Sequence, residues 1–118
     1  MKNRISSIFI MIGMAILICT VSCVQEKKST EIKIKTSAVC GQCKDRIEQG
    51  MAYEKGIKDI VLDVDSKIAT VRYNPSKTTP ADIRNAISKL GYDADSIPAD
   101  KIAYDKLPAC CKKDAKKH

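Results

Sequence analysis

The sequence predicts an α+β domain of order β-α-β-β-α-β, one antiparallel sheet with two helices on one face. Three observations lead there. Period-2 alternation of apolar and polar residues occurs at 31-EIKIKT-36, 57-IKDIVLDVD-65 and 67-KIATVRY-73, the pattern of strands with a single buried face. After the first and third of these runs, apolar residues recur three or four positions apart, as in amphipathic helices. The chain has 118 residues, 44% of them hydrophobic, which is enough for one small core and little more.

The elements follow in order. In the first strand Ile32 and Ile34 alternate with Lys33 and Lys35. Cys43, Ile47 and Met51 are spaced by four and share one face of the first helix, and Gly56 closes that region. Ile60, Leu62 and Val64 face the core from the second strand, and Ala69, Val71 and Tyr73 from the third, with Asp65 and Ser66 turning the chain between them. Val61 and Ile68 fall on the outer face. The second helix starts at 79-TPAD-82, with Thr79 as N-cap, Pro80 in the first helical position and Asp82 close to a capping box. Its stripe is Ile83, Ala86, Ile87 and Leu90, and Gly91 stops it. A fourth strand belongs at about 92–97, although 93-DADSI-97 is a poor strand sequence. Together these elements describe the ferredoxin-like arrangement, followed by a short C-terminal extension.

The chemistry is concentrated in 37-SAVCGQCKD-45. A C-x-x-C pair serves as half of a zinc site, as a redox dithiol, or as a two-thiolate clamp for a soft metal, and spacing alone leaves all three open. Cys43 falls in the first helical turn, where unpaired amides stabilise negative charge, and Lys44 and Arg46 add positive charge. A second pair, Cys110 and Cys111, follows 98-PADKIAYDKLP-108, which can form a short helix between its prolines. This pair is a further candidate for metal ligation, expected to act from a mobile tail and not from the core. Met51 reads as core and His118 as a solvated terminus. No His/Glu/Asp constellation for hydrolysis and no phosphate-cradling glycine loop is present, so the reading is of a non-enzyme.

The ends carry targeting information. Lys2 and Arg4 precede the apolar stretch 5–24, the layout of an export signal over residues 1–22. The segment 20-TVSC-23 resembles the box at which bacterial lipoproteins are cut before an acylated cysteine, making Cys23 the expected lipidation site. Cys19 then leaves with the signal. An uncleaved membrane anchor is the alternative. Residues 23–30 read as a linker, 31–97 as the domain and 98–118 as the extension. The expected location is the periplasmic side of a bacterial membrane. Of the formal charge of +7, residues 31–98 carry only +1, from eleven bases and ten acids. With the excess in the tails and one phenylalanine in the chain, nucleic-acid binding is not supported.

With the cysteine loop between the first strand and first helix, residues 31–97 resemble the heavy-metal-associated domain family, which includes copper chaperones, modules of copper-pumping ATPases and the periplasmic mercury-binding protein. The resemblance rests on 40-CGQC-43, on 57-IKDIVLDVDSKIATVRYNPSKTTPADI-83 and on 90-LGYDA-94. It implies Cys40 and Cys43 as thiolate ligands for Cu(I) or Hg(II), with Zn(II) fitting less well. It further implies Tyr92 in a loop beside the site, and a membrane metal transporter or pump as partner. The family's methionine two residues before the first cysteine is replaced by Ala38, a change expected to loosen the loop. Two other functions are compatible with the residues: a thiol–disulfide oxidoreductase, and a zinc-stabilised module using Cys40, Cys43, Cys110 and Cys111.

Overall fold

The computed structural model describes residues 28–114; the expected export signal, Cys23 and the last four residues lie outside them. Strands β1 (Thr30–Lys35), β2 (Ile57–Asp63) and β3 (Ile68–Tyr73) form an antiparallel sheet in the order β1-β3-β2. Helix α1 (Gly41–Ala52) joins β1 to β2, and α2 (Pro80–Lys89) follows β3. The period-2 patterns set the sheet's two faces. Ile34, Ile60, Leu62, Ala69, Val71 and Tyr73 are buried, while Lys33, Lys35 and Arg72 point to solvent and Val61 is 52% exposed. The helices close the buried face through Cys43, Ile47 and Met51 of α1 and Ile83 and Ile87 of α2, all in one apolar cluster with the sheet. A buried isoleucine or leucine contributes about 1.5–3 kcal/mol through removal from water, so this single layer-on-layer core is the main source of stability.

Local signals set the joints. Thr79 accepts a hydrogen bond from the Asp82 N–H at 3.2 Å, and its hydroxyl donates to the Asp82 carboxylate at 2.9 Å. The β2–β3 turn is wider than the two residues expected from sequence. It spans 64–67 and leaves Val64 outside β2, because Asp63 accepts from the Asp65 N–H and the Ser66 hydroxyl and folds the chain before the ladder resumes. Lys67 takes the left-handed conformation (φ 62°) there, and its carbonyl accepts from both the N–H and the hydroxyl of Thr36.

The fourth strand is reduced to isolated bridges, Thr36 to Ala94 and Ala94 to Ile97. Its place beside β1 is taken by one aspartate. The Lys35 N–H donates to Asp95 Oδ1 at 2.8 Å and the Lys35 carbonyl accepts from the Asp95 N–H at 2.8 Å. With Asp95 at φ 51° the chain cannot run on as a strand. The architecture is nevertheless that of the ferredoxin-like fold.

The extension is not the mobile tail the sequence suggested. Asp100 caps a short helix α3 (Lys101–Asp105), and a 3-10 turn (Ala109–Cys111) follows. Leu107 and Cys111 belong to the core cluster. The Ser88 hydroxyl donates to the Pro98 carbonyl (2.7 Å) and the Ser88 carbonyl accepts from the Asp100 N–H (3.0 Å), while Lys113 pairs with Asp93 at 2.6 Å. Leu107 and the buried Cys111 thiol hold the extension against the domain.

Candidate metal centre

The loop between β1 and α1 is held from several sides. The Thr36 hydroxyl accepts from the Ala38 N–H at 3.3 Å, and the Ser37 hydroxyl accepts from the Asp93 N–H at 2.9 Å. Ala38 is fully buried in the core, so the loop is pinned although the family's methionine is absent. Cys40 is the N-cap of α1 in an extended conformation (φ −152°), and its carbonyl accepts from the Cys43 and Lys44 N–H groups. The Cys43 side chain enters the core from the first turn, whereas Cys40 stays half-buried at the rim. Their Sγ atoms lie 3.5 Å apart.

Burial would by itself raise the Cys40 thiol. The Cys43 N–H and thiol, the Gln42 N–H and the Cys111 thiol outweigh that and hold its pKa below the usual thiol range. The helix N-terminus therefore favours the thiolate, the form that binds metal. Lys44, one of the two cations expected nearby, is engaged elsewhere. Lys44 donates to the Leu62 carbonyl at 2.9 Å and pairs with Glu48, which in turn accepts from the Leu62 N–H. These side chains cover the free edge of β2 and do not charge the thiols.

Tyr92 sits where the resemblance implies, fully buried. Its hydroxyl makes no hydrogen bond; burial foremost, then the Cys43 and Cys111 sulfurs around it, raise its pKa far above the ordinary value. Burial and the adjacent Cys43 push the Cys111 thiol up to about 12. The folded extension brings Cys110 and Cys111 to the loop. Cys110 donates to Gln42 Oε1 at 3.0 Å, the Cys40 thiol donates to the Cys110 carbonyl at 3.4 Å, and the Sγ atoms of Cys40, Cys110 and Cys111 all lie within 4.8 Å of one another. The four described cysteines are unbridged. A donor set made only of sulfur suits soft cations. Sequence reasoning named each of these cysteines and joined all four only in the zinc-module alternative; the one signal for their convergence was the doubling of the cysteine pair in so short a chain.

Comparison with known proteins places the chain among metal-handling domains. The sequence profile of the heavy-metal-associated domain matches residues 35–93. Copper-transporting ATPase 1 of Rattus norvegicus is 31% identical over 78 residues, 65% of this chain but 5% of the ATPase. The copper chaperone CopZ of Staphylococcus epidermidis is 32% identical over 54 residues, 46% of this chain and 79% of the chaperone. In fold, oxidised MerP from Ralstonia metallidurans superimposes with a TM-score of 0.54 over 57% of this chain and 94% of MerP, at 15% identity.

Proposed function

Because this chain belongs to the heavy-metal-associated domain family, we propose that it is a soft-metal carrier that holds its ion between the thiolates of Cys40 and Cys43. Cu(I) is the favoured cargo, since the relatives matched in sequence are a copper-transporting ATPase and a copper chaperone, and Hg(II) is the alternative. The observation that carries the reading is the pair of opposed thiols 3.5 Å apart at the N-terminus of α1, inside the matched segment. Metal capture exchanges the thiol protons for the ion, and the helix terminus lowers the cost of the first ionisation. The role is to sequester the ion or deliver it to a membrane transporter. A partner thiolate attacks the bound metal and passes through a three-coordinate intermediate before Cys40 and Cys43 leave.

The test is titration of the reduced protein with Cu(I), Hg(II) and Zn(II) against a competing thiol. The Cys40→Ser, Cys43→Ser variant is expected to keep its circular dichroism spectrum and lose tight soft-metal binding, because the core stripes pack without metal. A second reading, a zinc-stabilised module, draws on the convergence of Cys40 with Cys110 and Cys111. It requires an apo protein that is unfolded and refolds with Zn(II).

We further propose that the carrier is tethered on the periplasmic side of a membrane through lipid on Cys23, with 24–30 as spacer. Intact mass spectrometry should find residues 1–22 removed and an acylated Cys23; an unmodified chain that retains them would defeat the proposal.

A further inference from the structure

Residues 98–114 lie wholly beyond the segment matched by the family profile, yet they pack against the domain. Gly91 makes room for them. It adopts φ +100°, and a Cβ there would meet the Ala103 backbone carbon at 3.0 Å. Leu107 enters the core, Lys113 pairs with Asp93 at 2.6 Å, and the Lys113 N–H donates to the Tyr104 hydroxyl at 3.1 Å. Every one of these contacts fixes the strap so that its 3-10 turn ends over the cysteine loop.

The geometry points to a three-thiolate site: we propose that Cys110 and Cys111 complete, with Cys40, a closed site for one thiophilic ion. It rests on the reading of Cys40 and Cys43 as metal thiols and adds the ligands that hold the ion once it has arrived. The three Sγ atoms lie within 4.8 Å of one another, with Cys110 and Cys111 at 3.9 Å. With metal–sulfur bonds of about 2.3 Å, trigonal coordination separates the sulfurs by about 4.0 Å, and linear coordination by about 4.6 Å. Within the trio, the Cys110–Cys111 pair at 3.9 Å lies close to the trigonal value. Among the described residues no carboxylate or imidazole joins the group, so the site selects soft ions over hard ones. Cys43, buried beside Cys40, serves entry and exit. The ion is taken up on the Cys40–Cys43 pair, and one thiolate bond to Cys43 is exchanged for bonds to Cys110 and Cys111, with the thiol protons released to solvent. Each added thiolate must be displaced before the ion leaves, so delivery from the three-thiolate site is slower than from the Cys40–Cys43 pair alone.

The experiment uses the reduced full chain loaded with one equivalent of Cu(I). X-ray absorption at the copper edge counts the sulfur ligands, and a Cu(I) chelator measures affinity and the rate of extraction. Cys110 is half-buried and outside the core, so Cys110→Ser tests the site without emptying the interior; Cys110→Ser, Cys111→Ser is the second variant. Three sulfurs are expected in the parent chain and two in either variant. Affinity should fall about 100-fold in Cys110→Ser, the lower range for loss of an intramolecular attachment, and extraction should be faster. Two sulfurs in the parent chain with unchanged extraction in Cys110→Ser would overturn the proposal and leave the Cys40–Cys43 clamp standing. Four sulfurs would overturn it in favour of a tetrahedral site that includes Cys43. Undiminished binding by Cys40→Ser, Cys43→Ser would overturn both the proposal and the clamp.

Discussion

A buried hydroxyl without a partner costs roughly 1–3 kcal/mol, and Tyr92 carries one against the sulfurs of Cys43 and Cys111. In the apo protein it has nothing to donate to but weakly accepting thiols. Once those sulfurs are metal-bound thiolates they become charged acceptors, and a hydrogen bond to a charged group contributes about 1.5–3 kcal/mol. Tyr92→Phe is therefore expected to act in opposite directions on the two states. Apo stability, read by denaturant unfolding, should be unchanged or higher by about 1 kcal/mol. Cu(I) affinity should fall about tenfold, the equivalent of roughly 1.4 kcal/mol. Equal losses in both measurements would mean that Tyr92 is only a packing residue. The family resemblance implied Tyr92 beside the site but gave no sign of its orphaned hydroxyl, which depends on where α2 ends and the strap begins.

At the scale of elements, the joint between α2 and the strap carries the most consequence. Gly91 answers two demands at once, a left-handed backbone and a close approach of Ala103. A side chain in the left-handed region costs about 1–2 kcal/mol, and backbone at 3.0 Å cannot yield as a flexible side chain does. Gly91→Ala should destabilise the protein by about 2–3 kcal/mol and loosen the strap before the sheet. Hydrogen exchange should show lost protection first in 99–111, with β1 and β3 little changed; uniform loss across the sheet would contradict that order. Helix α1 was legible because Cys43, Ile47 and Met51 repeat at helical spacing and all are fully buried. The fourth strand was not, because Asp95 satisfies Lys35 with one carboxylate oxygen and one amide, a solution invisible to periodicity.

For the molecule as a whole, two carboxylates hold the perimeter. Burial pushes Asp93 and Asp95 upward, but Lys113 and the Ala99 N–H outweigh it for Asp93, and Arg84 and the Lys35 N–H outweigh it for Asp95. Both folded pKa values thus lie below the ordinary 3.8. The folded state binds these protons less readily than the unfolded chain does, so the stabilisation is complete above the unfolded pKa. It is lost as pH falls from there through the folded values. Unfolding followed from pH 7 downward should show stability declining below about pH 4. Asp93→Asn should flatten that decline and cost less than about 1 kcal/mol at neutral pH, since both members of the ion pair are partly exposed. An acid limb unaltered by the substitution would place the titrating groups elsewhere.

What the sequence determined by itself was the domain and the position of the Cys40–Cys43 pair. Alternation and helical spacing state which side of each element is apolar, and one arrangement buries every stripe. Cys40 and Cys43 then fall at the start of a helix because they lie between a strand and a helix in the chain. The sequence could not determine the other half of the thiol cluster. Cys110 is 67 residues from Cys43, and nothing in the local pattern of 98–114 says which surface it meets. Only the tertiary structure decided that, through Leu107 and Cys111 entering the core and the glycine at 91 letting the chain pass close. Periodicity reports a segment's own apolar face, whereas docking depends on the shape and vacant partners of a distant one.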